Sequence, residues 1–127
     1  MKKTSIVLVA LLLIPAFVFA GGGSQSKSAG GGGKTIVFVP KITGNAFFES
    51  ANDGAQAHAK ANGYTVQYVG SQQASVAEQV RIINQAIDQG VDGISVSSLD
   101  ATALDQVMKR ALQAGLAVTT WDSDVSG

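Results

Sequence analysis

The sequence predicts an α/β fold in which a doubly wound parallel sheet carries helices on both faces. Two observations carry this. Short β-prone runs alternate with longer amphipathic stretches at helical spacing, and each helical stretch stops at a glycine, at Gly63, Gly90 and Gly115. Four strands separated by three helices require βαβ crossovers, which are right-handed and yield a sheet covered on both sides. The segments are too dissimilar and too widely spaced for a solenoid repeat.

Thr35 to Val39 reads Thr-Ile-Val-Phe-Val and is stopped by Pro40, as expected of a strand buried on both faces. Residues 45–62 then place Phe47, Phe48, Ala51, Ala55 and Ala59 at helical spacing, with Asn45 as N-cap and Asn62-Gly63 as the stop. Adjacent helical residues cannot both point inward, so only one of Phe47 and Phe48 is expected in the core. Tyr64 to Val69 forms a second strand. The next helix opens on the capping box Ser75-Val76-Ala77-Glu78 and carries Val76, Val80, Ile83 and Ile87 on one stripe before Gly90. Ile94 to Ser97 is the third strand. Asp100 is expected to cap a helix bearing Leu104, Val107, Met108, Ala111 and Leu112, and Leu116 to Thr120 closes the series as a fourth strand.

The residues ahead of this unit read as an address and a tether. Residues 1–20 begin with Lys2 and Lys3, run uncharged from Ile6 to Phe19 around Pro15, and end in Val18-Phe19-Ala20, whose small residues suit a signal peptidase. The run is shorter than the roughly 20 apolar residues that span a bilayer, so a cleaved secretory signal is expected rather than an anchor. Residues 21–34 are almost entirely Gly, Ser, Ala, Gln and Lys, a flexible linker. Its Gly-rich end before Lys34-Thr35 imitates a phosphate-binding loop, but it precedes a strand, whereas such a loop follows one.

Composition removes several classes of function. The chain has 9 basic and 9 acidic residues, and Lys2 and Lys3 lie in the signal, so no cationic surface attracts nucleic acid. There is no cysteine, hence no disulfide, no thiolate chemistry and no lipobox anchor. The one histidine, His58, sits in a helical stretch without catalytic neighbours, and no Gly-x-Gly-x-x-Gly follows the first strand. The chain therefore reads as a non-enzyme with no cofactor and no metal.

Ligands of open parallel sheets bind beyond the carboxyl ends of the strands. That rule selects the loop from Pro40 to Phe48, with Lys41, Asn45, Phe47 and Phe48, and the loop Trp121-Asp122-Ser123-Asp124. Ser97 and Ser98 lie on the same rim after the third strand. An ammonium, an amide and a carboxylate hydrogen-bond hydroxyls, and an aromatic ring packs on the C–H face of a sugar ring.

These residues, taken as a set, resemble the type I periplasmic binding proteins, and the likeness spans residues 35–124. It is carried by Gly44-Asn45-Ala46-Phe47-Phe48, Asp53-Gly54-Ala55, the Gln79-to-Ile83 stretch, Gln89-Gly90-Val91-Asp92-Gly93 and Thr120-Trp121-Asp122. Resemblance to the ribose-binding members implies that Asn45, Phe47, Phe48 and Asp122 contact a sugar. Resemblance to the autoinducer-2-binding members implies that Lys41 and Asp122 hold the ligand, and Asp124 also looks like that branch. Lys41 departs from the first pattern and Asn45 from the second, while the combination is similar to rhamnose binders. The family implies two lobes hinged around a monosaccharide or autoinducer-2-like ligand, docking on the membrane permease of an ABC importer from the periplasm. Residues 35–127 are then expected to be the N-terminal part of the first lobe, incomplete and without the second. A repressor of the same fold is opposed by the signal, and a chemoreceptor-linked sugar sensor is the alternative left open.

Overall fold

The computed structural model describes residues 33–126. The expected signal peptide and residues 21–32 of the linker lie outside the described residues. The elements follow the predicted order: β1 Thr35–Val39, α1 Ala46–Asn62, β2 Thr65–Tyr68, α2 Val76–Gln89, β3 Gly93–Val96, α3 Asp105–Gln113 and β4 Ala117–Thr120. All strand pairs are parallel, and the spatial order is β2-β1-β3-β4. The chain steps outward from β1 to β2, then returns to the other side of β1 for β3 and β4. The strand order therefore reverses between β1 and β3.

Alternation along the strands divides the side chains between two faces. Val37 and Val39 of β1, with Ile94 and Val96 of β3, join Ile82, Ile83 and Ala86 of α2 and Val107, Met108 and Ala111 of α3 in one apolar core. Ile83 is fully buried, and burying a side chain of this size stabilises by about 1.5–3 kcal/mol. Phe38 points to the opposite face, where it meets Tyr68 and Trp121, while α1 packs on β2. Helices thus cover both faces, as the alternation of elements requires.

Local chemistry fixes the helix ends. Asn45 is the N-cap of α1, its side chain accepting from the Phe47 amide, and Ser75 caps α2 by accepting from the Glu78 amide. Gly63 and Gly90 terminate these helices at φ 74° and 64°, a left-handed conformation that costs glycine nothing. The third helix differs from the sequence expectation. Asp100 Oδ1 accepts from the amides of Thr102 and Ala103, so it heads a turn over residues 101–104, and α3 starts only at Asp105. The Asp carboxylate satisfies the amides two and three positions on, one turn before the buried Leu104 anchors the regular helix.

Candidate functional site

Register brings the predicted residues to one rim. Val39 pairs with Val96, which pairs with Thr120, so Pro40, Ser97 and Trp121 leave the sheet side by side at the strand-order reversal. Beyond them, Lys41 Nζ lies 3.0 Å from Asp122 Oδ2 across the width of β3. Ser97 Oγ donates to the same Oδ2 at 2.7 Å, and Ser123 Oγ approaches it at 3.4 Å. The other carboxylate oxygen, Oδ1, receives no donor among the described residues. One oxygen is thus held by the protein while the second stays available to a hydroxyl donor.

The backbone at Asp122 is unusual. Its φ of 62° is the one positive value at a non-glycine position among the described residues, and the Ser123 amide donates to the Trp121 carbonyl at 2.6 Å, closing a three-residue turn. Asp tolerates this region better than most residues, yet strain of this kind persists only where surrounding contacts over-determine it. Those contacts are aromatic. Trp121 stacks on Phe38 with ring centroids 4.5 Å apart and meets Phe48 edge-on at 5.7 Å. The Ser98 amide also donates to the Ser123 carbonyl at 3.2 Å.

Electrostatics follow from these partners. The Ser97 hydroxyl, and next the Lys41 ammonium, stabilise the ionised form and hold the Asp122 carboxyl below the ordinary aspartate range. Behind the rim, Tyr68 Oη donates to Glu49 Oε1 at 3.1 Å, and the Gly44 amide donates to the same oxygen at 2.7 Å. Burial, reinforced by the Glu49 carboxylate, pushes the Tyr68 phenol up to about 12, so it remains a neutral donor that pins the β1–α1 loop to β2.

The predicted residues divide among distinct roles. Lys41, Ser97 and Asp122 form one hydrogen-bonded cluster. Asn45 stands on the same rim, its Oδ1 committed to the helix cap. Phe48 is buried against Trp121, whereas Phe47 is 59% exposed and meets Phe48 edge-on at 5.2 Å. Asp124 stands beside the cluster with partners of its own and lines the hollow along Asp122. Its Oδ1 accepts from Thr120 Oγ1 at 2.7 Å and from the Val125 amide at 2.8 Å, the hydroxyl first and the amide second lowering its pKa. It also borders an open concavity of about 240 Å³ beside Asp105 and Leu112. A larger concavity, about 510 Å³, lies between Lys34, Tyr64 and Asp92 at the amino ends of the strands. Ligands of parallel sheets sit at the opposite ends, so the geometry favours the shallower hollow of about 270 Å³ along Trp121 and Asp122.

Sequence reasoning overlooked Gln79 as a rim residue. It is 3% exposed, its Nε2 donates to the carbonyls of Pro40 at 3.1 Å and Ser97 at 2.8 Å, and its Oε1 accepts from the Leu99 amide at 3.0 Å. The detectable signal was a polar residue on the core-facing side of α2, three residues after Val76 and four before Ile83.

A parallel sheet reversing its order beneath a charged rim defines an α/β binding lobe. The family model for the periplasmic binding protein domain matches residues 36–127, and the chain belongs to that family. Among curated proteins, the D-ribose/D-allose-binding protein of Pseudomonas aeruginosa is 34% identical over 91 residues, 69% of this chain and 28% of that protein. LsrB from Clostridium saccharobutylicum, solved in complex with AI-2, is 52% identical with a TM-score of 0.71, covering 72% of this chain and 28% of that one. An ABC transporter solute-binding protein from Clostridium phytofermentas, solved with bound L-rhamnose, is 29% identical with a TM-score of 0.70, covering 73% and 29%. The chain thus spans less than a third of the length of these relatives.

Proposed function

We propose that this chain forms one wall of the ligand cleft in an extracytoplasmic solute-binding protein of an ABC importer, and that its ligand is a monosaccharide or autoinducer-2. The observation that carries this is the Lys41–Asp122 pair at 3.0 Å, set at the carboxyl ends of β1 and β4 on either side of β3. A ligand carrying adjacent oxygens satisfies both partners at once. It accepts from the Lys41 ammonium and donates to the free Oδ1 of Asp122, while Phe47 and the Asn45 amide nitrogen line the same rim. Ser97 acts from behind, fixing the carboxylate. Asp124, bound to Thr120, borders the same hollow as Asp122. Support for an autoinducer-2 or sugar ligand comes from the relatives named above.

In this reading a second lobe, contributed by sequence beyond this chain, supplies the opposing wall and closes over the ligand, and the closed form docks on a membrane permease. Export follows from the signal ending at Ala20. The test is a thermal-shift series on the full-length protein with D-ribose, L-rhamnose and autoinducer-2. A ligand at a hundred times its Kd stabilises by about 2.7 kcal/mol, and Asp122→Ala is expected to abolish that response. If none of the three stabilises the wild type, or Asp122→Ala responds as the wild type does, the proposal fails.

A further inference from the structure

We propose that Gln79 is the positioning residue of this rim, its buried side-chain amide setting the distance between the loops after β1 and β3 and thereby the approach of Lys41 to Asp122. The inference rests on the cleft reading above and deepens it.

The need arises where the β1–β3 ladder ends. Its last bond runs from the Ser97 amide to the Val39 carbonyl at 2.9 Å. The carbonyls of Pro40 and Ser97 receive no backbone donor among the described residues. The Gln79 amide reaches both, placing one N–H on each, while its own oxygen takes the Leu99 amide. A primary amide is the one uncharged side-chain group that offers two donors and an acceptor together. Its partners flank the functional cluster directly. Pro40 precedes Lys41, and Ser97 is itself the residue whose hydroxyl holds Asp122 at 2.7 Å. Because Gln79 projects from α2, whose apolar stripe is locked into the core, the two loops are referenced to a rigid helix rather than only to each other.

Gln79→Met keeps the volume and removes all three hydrogen bonds. Two readouts follow, neither needing a ligand: the titration of the Asp122 carboxyl carbon by NMR, and the emission of Trp121, the only tryptophan. The groups facing Asp122 are Lys41 and the hydroxyls of Ser97 and Ser123, with the Asp124 carboxylate two residues on. In folded Gln79→Met the Asp122 midpoint is expected to rise toward that of an ordinary aspartate, and Trp121 emission to shift. In the full-length protein, affinity for D-ribose or autoinducer-2 is expected to fall about tenfold or more, the effect of losing an orienting partner behind a ligand-holding group in metal sites.

Gln79→Glu is the conservative variant. Its buried carboxyl is protonated in the acid range where Asp122 titrates, retaining the acceptor and one donor, so the Asp122 midpoint should stay nearer the wild type than in Gln79→Met. A folded Gln79→Met with unchanged Asp122 midpoint and unchanged emission overturns the proposal. Should Gln79→Met not fold, Gln79→Glu decides. Trp121 emission that differs between the ionised and protonated forms of the new carboxyl, beyond the wild-type change, supports the proposal, and identical emission overturns it. A shifted Asp122 midpoint in a protein whose wild type binds none of the ligands overturns the cleft reading and leaves the positioning role standing.

Discussion

Replacing Trp121 tests how the site is held. Its ring stacks on Phe38 at an interplanar angle of 13° and meets Phe48 at 78°. Each such pair contributes about 0.5–1.5 kcal/mol beyond its buried area. Truncating a fully buried Trp costs about 3–5 kcal/mol, and because Trp121 is only half-buried, Trp121→Ala should lose about 2–4 kcal/mol. Trp121→Phe should behave differently. It keeps a ring against Phe38 and Phe48, and it removes the indole Nε1, which is buried without a hydrogen-bond partner among the described residues. An unsatisfied buried donor costs about 1–3 kcal/mol, so its loss offsets the smaller ring, and the Phe variant should lie within about 1 kcal/mol of the wild type. Urea unfolding followed by far-UV circular dichroism measures both, since the fluorophore itself is altered. In a domain of this size each kcal/mol moves Tm by roughly 4–8 °C, so the Ala variant should melt at least about 8 °C lower. Equal losses for Ala and Phe, or an Ala loss below about 1 kcal/mol, would refute the claim that the aromatic stack secures the Asp122 turn.

Other predictions address the rim and the sheet. Asn45→Ala removes the cap on α1 and should cost about 1 kcal/mol in urea unfolding, with no change in slope. Gly93→Ala should destabilise by about 1–2 kcal/mol in thermal unfolding, because a Cβ there would stand 2.9 Å from the Ala117 carbonyl oxygen and overpacking outweighs the entropic gain. Lys41→Met and Ser97→Ala should each raise the Asp122 midpoint in part, since the hydroxyl and the ammonium both favour the ionised carboxylate. The sign of the pH effect follows from the lowered folded-state pKa. Asp122 stabilises the fold above its unfolded pKa, and that contribution disappears as pH falls through the folded value. The stability gap between wild type and Ser97→Ala should therefore be constant near neutrality and close below the ordinary aspartate range, as read from urea midpoints measured against pH.

Much of this architecture is local and was legible in the residues. Short β-prone runs, capping residues and terminal glycines define the strands and helices because each depends on interactions within a few positions of the chain. The Asn45 cap, and the rule that only one of Phe47 and Phe48 is buried, follow from helix geometry, whereas tertiary packing chose Phe48. The boundary of α3 was misplaced by one turn because an Asp serves a turn and a helix with the same hydrogen bonds, and only the seat of Leu104 distinguishes them.

What the residues alone determined was the α/β class, the rim and the residue types on it. What only the tertiary structure decided was which of them meet. The register through β1, β3 and β4 brings Lys41 onto Asp122, some eighty positions later in the chain, and sets Asp124 on the Thr120 hydroxyl beside it. The same register gives Gln79 its importance, since the end of the β1–β3 ladder leaves two carbonyls that a residue on another element fills. Such pairings join groups far apart in sequence, and their geometry exists only once the strands have aligned.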